Sequence, residues 1–124
     1  MPPLLRAFLL CHEVRQSPRG TDLLGVFNRI NAPSFPVEGR AYVHVVWSNL
    51  EPGEHQMSIG LIGPRATVGQ WDVKVVKTSP ERDDWMYTQA VQLHFPERQD
   101  WIFQISLDGE PYGNFYLAVD EKTR

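Results

Sequence analysis

The chain has 124 residues, 42% of them apolar, with four Trp, six Phe and four Tyr and a formal charge of −3. A chain of that length fills one domain that buries about two-thirds of its unfolded surface, so residues 1–124 are expected to share a single core, without a second domain or global disorder. Twelve basic residues scattered among fifteen acidic ones leave no cationic stripe for nucleic acid, no window reaches the about 20 apolar residues of a membrane helix, and a lone Cys11 excludes an internal disulfide framework and fits a reducing, cytoplasmic setting.

The first apolar stretch, "LLRAFLLC" at 4–11, has apolar residues in both phases and predicts a strand covered on both faces. Arg6 inside it and Leu10 before the cysteine are wrong for a secretory signal, and no cationic pattern activates the thiol, so Cys11 reads as a small buried strand residue. After the polar "HEVRQSPRGTD", "LLGVFNRI" (23–30) is a second strand, and "NAPSFPVEG" (31–39) then interrupts the pattern with two prolines. A residue before proline is driven extended. This stretch is therefore either a joint between sheets, with Phe35 plugging the open end, or a stiff projection in which Pro33, Phe35 and Pro36 dock a partner. The bond before Pro36 is open to the cis form at about the background one in twenty.

"RAYVHVVWSN" is the cleanest strand. Ala41, Val43, Val45 and Trp47 share one face, leaving Tyr42, His44, Val46 and Ser48 on the other. Met57, Ile59 and Leu61 mark the next strand, ending at Gly63-Pro64; Trp71, Val73 and Val75 mark another, with Gln70, Asp72 and Lys74 outward. A near-repeat follows: "PERDDWMY" at 80–87 and "PERQDWIF" at 96–103. In each, Pro sets a turn, Asp caps backbone amides and Trp is the first inward residue of the strand that follows. One strand of roughly 30 Å separates the copies, so this is one turn written twice and not two halves of a site. Asp108-Gly109 signals a hairpin into a closing strand carrying Phe115, Leu117 and Val119, and "DEKTR" (120–124) reads as a solvated tail. About eight short strands and no helical stripe predict an all-β antiparallel sandwich, with a small closed barrel as the structural alternative.

Catalytic chemistry finds little support in these residues. His12, His44, His55 and His94 lack the spacing that presents two metal ligands from one element, so a metal-dependent enzyme using His44 and His94 is the weakest reading. "GPRATVG" (63–69) lacks the Lys and hydroxyl of a phosphate loop, no Gly-x-Ser-x-Gly is present, and the acidic residues of the repeat lack the alternation of a calcium loop. All four Trp are in phase with aliphatic residues and read as core. Trp85, at a strand entrance, is the one that with Tyr87 offers a stacking platform for a carbohydrate or other small ligand. No cofactor, metal or catalytic residue is assigned.

The series "LLCHEV", "LLGVFNRINAPSFP", "YVHVVWSNLEPGEHQMSIGLIGP" and "LHFPERQDWIFQISLDGE" resembles an uncharacterised bacterial family, domain-of-unknown-function family 6941, from about Leu4 to Val119. Within it, "FPERQDWIFQISLDG" is similar to the penultimate strand of immunoglobulin-like sandwiches, with Trp101 where such domains often carry Tyr. An indole has only an N–H to offer, so the corner hydrogen bond of that fold is either remade by it or lost. The resemblance implies an immunoglobulin-like sandwich and carries over no catalytic residue. The expected function is non-catalytic binding, through contacts with an unknown protein partner or by self-association into a homo-oligomer. The expected contact surfaces are Pro33, Phe35 and Pro36 and the face of Tyr42, His44 and Val46.

Overall fold

The inward alternation seen in the sequence is realised as nine strands and no helix among the residues described by the computed structural model, 2–65, 67–78 and 84–121. They are β1 (Leu4–Ser17), β2 (Gly20–Phe27), β3 (Arg29–Ala32), β4 (Val37–Ser48), β5 (Gly53–Ile62), β6 (Thr67–Lys77), β7 (Trp85–Phe95), β8 (Gln99–Leu107) and β9 (Glu110–Glu121). Two sheets form, in the orders β2-β1-β4-β7 and β3-β9-β8-β5-β6. All pairings are antiparallel except β3 with β9. The two ladders stay separate, which makes this a two-sheet sandwich and sets aside the closed barrel.

Between the sheets lies one apolar layer. Val43, Val45 and Trp47 from β4, Met57 and Ile59 from β5, Trp101, Phe103 and Ile105 from β8 and Leu117 and Val119 from β9 are all at most 2% exposed. Each such side chain contributes about 1.5–3 kcal/mol on burial, which is why the period of two is so strict here. The two fully buried indoles differ in their polar ends. The Trp47 N–H donates to the Met57 sulfur at 3.2 Å, whereas Trp101 Nε1 is buried without an acceptor. Trp101 therefore does not make the corner-type hydrogen bond that the resemblance left open to it. Gly63 closes over that ring: a Cβ on Gly63 would stand 2.3 Å from Trp101 Cζ3, so only glycine fits.

Four expectations need correction. The strand expected at 23–30 is two strands, because the chain leaves the first sheet at Asn28 and continues as β3 in the second, where the Asn28 carbonyl accepts from the Ala118 amide at 3.2 Å. The first strand is not covered on both faces. A register shift between Leu5 and Ala7 turns Phe8 and Leu10 inward and leaves Leu4 56% and Leu9 37% exposed. The closing strand runs on through Asp120 and Glu121, which pair with Asn31 and Ala32 of β3 where a tail was expected. The stretch 31–39 contributes its ends to β3 and β4, so only residues 33–36 join them. Residues 80–83 of the first repeat and 122–124 of the expected tail lie outside the described residues. The second repeat has the expected turn, a bend at 96–98, with β8 following from Gln99, which precedes Trp101 in the inward phase. Asp108 (φ 51°) and Gly109 (φ 83°) make the expected hairpin turn, both in the left-handed region that such two-residue turns require. No helix is long and apolar enough to cross a membrane.

Candidate interaction face

Strand β4 sits in the middle of the first sheet, so its outward residues meet neighbours on both sides. The register sets Val26, Cys11, Tyr42 and Ala90 in one row; Leu9, His44 and Thr88 in the next; and Ala7, Val46 and Met86 in a third. Paired residues on adjacent strands point to the same side, which places Tyr42, His44 and Val46 at the centre of a largely apolar face. Of the six exposed large apolar side chains among the described residues, four belong to it: Leu4, Leu9, Val26 and Met86.

The polar groups on this face are kept neutral or sent to its ends. His44 is 7% exposed, its Nδ1 lies 2.8 Å from Thr88 Oγ1, and burial lowers its pKa below the ordinary imidazole value, so the ring is uncharged at neutral pH. Cys11 is fully buried beneath the face. Desolvation raises the thiol pKa against the opposing backbone hydrogen bond at Glu13, which leaves it a poor nucleophile. Charges gather at the two ends of the strands. At one end Arg6 pairs with Asp84 at 2.9 Å and Ser48 donates to the same carboxylate at 2.5 Å. At the other, Arg40 occupies the outward phase and Glu38 meets His94 at 3.2 Å.

The remaining sequence-predicted residues fall elsewhere. In the 33–36 joint, Phe35 is half-buried against the core, Pro33 and Pro36 are exposed, and the Phe35–Pro36 bond is cis. Trp85 and Tyr87 pair with Trp47 and Val45, so they point to the inner side of the sheet. Their rings stack with centroids 5.7 Å apart and planes 5° from parallel, half-buried against the core. The Tyr87 hydroxyl donates to Gln89, and burial raises its pKa. His94 pairs with Glu38 and Thr88 with His44, which sets the two imidazoles about 20 Å apart along the strands, too far for one metal ion. Among the described residues no three His, Cys, Asp or Glu side chains form a metal-holding group.

One polar cluster escaped the sequence. His55 Nδ1 lies 2.7 Å from Asp108 Oδ2 and its Nε2 lies 2.8 Å from the Glu51 carbonyl. The other Asp108 oxygen accepts from the Gln56 amide at 2.8 Å. Both ring nitrogens therefore face acceptors, a geometry that favours the imidazolium. The Glu51 carbonyl, followed by Asp108, raises the His55 pKa; the Gln56 amide, followed by His55, lowers that of Asp108. The Asp-Gly turn was visible as a turn, but nothing local ties it to a histidine on another strand.

A family model described only as a family of unknown function matches residues 6–120. No curated protein matches the chain.

Proposed function

We propose, from the premise that the chain belongs to the family of unknown function DUF6941, that it is a non-catalytic interaction protein which self-associates through the outer face of the β2-β1-β4-β7 sheet. The observation that carries this reading is a sheet face with an apolar, uncharged centre and charged ends, the distribution found at protein interfaces. Four strands at about 4.8 Å and about eight residues at about 3.3 Å give about 500 Å2 in plan, and side-chain relief raises this towards the about 600 Å2 per partner at the low end of stable complexes. A second copy is the occupant that fits: a two-fold axis sets the same apolar centre and the same mixed-sign ends against each other.

The wider setting belongs to the same proposal. An immunoglobulin-like form of the sandwich is supported by the neighbours β1-β4-β7 and β5-β8-β9, which follow the partition of strands in that fold. A bacterial cytoplasm is supported by the family resemblance and by the single buried cysteine. The test is light scattering over a concentration series. The wild type is expected to reach the mass of a dimer, and Met86→Glu, at an exposed position, to hold it at the monomer. A wild type that stays monomeric to high concentration, or a dimer indifferent to Met86→Glu, defeats the proposal.

A further inference from the structure

Where β2 leaves the first sheet at Asn28, the strand β1 loses its neighbour on that side, and a cleft of about 490 Å3 opens between β1 and β9. Phe8 and Phe103, 7% and 1% exposed, lie at its base, with Phe27 and Phe115 half-buried beside them. The Phe8 ring centroid is 5.1 Å from that of Phe103 and 5.0 Å from that of Phe115, so the base is a continuous aromatic surface. Asn28 and Asn114 are exposed lining residues and therefore stand at the mouth. Among the described residues, no Asp, Glu, Lys, Arg or His lines the cleft.

We infer that this cleft is a binding site for a neutral, flat, largely apolar small molecule. Its volume falls within the about 300–1,000 Å3 of small-molecule sites, and such sites combine apolar walls with a few polar groups, as here. Aromatic walls favour a planar guest, packed edge-on or offset against the rings. The absence of any ionised side chain sets the guest's charge, since an ionised group entering an uncompensated apolar space loses its hydration without a partner. Each Asn amide both donates and accepts, so a single hydroxyl or carbonyl on the guest finds a partner at the mouth. Leu9 and Val26 border both this cleft and the proposed self-association face, but the phenylalanine base lies between the sheets, and Met86, on the outer face across β4, lines no part of the cleft.

A matched pair of dyes tests the inference. N-Phenyl-1-naphthylamine is neutral, and 8-anilinonaphthalene-1-sulfonate has the same ring system with an added anion. The neutral dye is expected to saturate at one per chain, to bind at least about tenfold tighter than the sulfonate, and to shift the ring resonances of Phe8 and Phe115 and the side-chain amide of Asn114. Asn114→Arg is expected to narrow the gap between the dyes by bringing a cation to the mouth. At a protein concentration low enough for the wild type to be monomeric, Met86→Glu is expected to leave neutral-dye binding unchanged, which keeps this test independent of the dimer. Non-saturable binding of the neutral dye, equal or tighter binding of the sulfonate to the wild type, or shifts confined to Val46 and Met86 overturns the inference.

Discussion

The two sheets share one interior but present opposite outer faces. On the second sheet, Ser58 donates to Asp72 at 2.6 Å and Gln70 donates to the same carboxylate at 3.3 Å. Lys74 pairs with Glu54 at 3.0 Å, and Gln104 stands between Gly60 and Asn114 in the register. Charged and amide side chains dominate these rows, while Val76 and Tyr116 are the exposed large apolar residues of that sheet among the described residues. On the first sheet the corresponding rows hold Leu9, His44 and Thr88, or Ala7, Val46 and Met86, and among the described residues its ion pairs lie towards the strand ends. The same alternation thus builds both faces, and only the outward residue type separates a solvated surface from one that gains by being covered.

Predicted effects follow from that contrast, the largest from the shared interior. Phe103→Ala removes a ring that is 1% exposed and is expected to cost about 3–5 kcal/mol in denaturant unfolding. Gly63→Ala forces a Cβ into the Trp101 ring, and overpacking of this kind costs about 1–3 kcal/mol. A loss within about 0.5 kcal/mol, the range of ordinary surface changes, would mean that the strand end is free to move away from the indole. On the outer faces the effect shifts from stability to association. Met86→Glu is expected to abolish self-association while changing stability by at most about 0.5 kcal/mol. Gln104→Glu, at the matching exposed position of the second sheet, is expected to alter neither, and a dimer lost through Gln104→Glu would move the interface to the wrong sheet.

The smallest effect belongs to the His55–Asp108 pair, and its sign runs in two directions. The His55 pKa is raised in the fold, so its stabilisation is fully present below the unfolded value of about 6.5 and is lost as pH rises through the higher folded value. The Asp108 pKa is lowered, so its stabilisation is present above the unfolded value of about 3.9 and is lost as pH falls through the lower folded value. Asp108→Asn retains a residue that tolerates the positive φ of 51° but removes the charge. Thermal melts should separate the two proteins most between those limits and converge beyond them. A constant separation at every pH would assign the pair a purely steric role.

How much of this was legible depended on whether the signal stayed on one strand. Ala41, Val43, Val45 and Trp47 form an unbroken inward series, so Tyr42, His44 and Val46 could be read as one face. Their neighbours Leu9, Val26 and Met86 come from other strands through register, which no local pattern records. The shift at Arg6 was invisible because "LLRAFLL" is apolar in either phase. The crossing at Asn28 left no mark either, since a strand that changes sheets keeps its alternation. The cleft depends on that crossing and brings together Phe8, Phe103 and Phe115 from three strands, each of which reads separately as ordinary core.

The contrast between the faces can be measured directly by NMR, with a soluble paramagnetic agent reporting solvent access at low and high protein concentration. Protection is predicted to grow with concentration at the methyl groups of Leu9, Val26, Val46 and Met86, while Gln104 and Tyr116 on the second sheet stay equally accessible throughout. Equal accessibility of both faces at every concentration would contradict the central claim that the first sheet is built to be covered by a second copy of the chain.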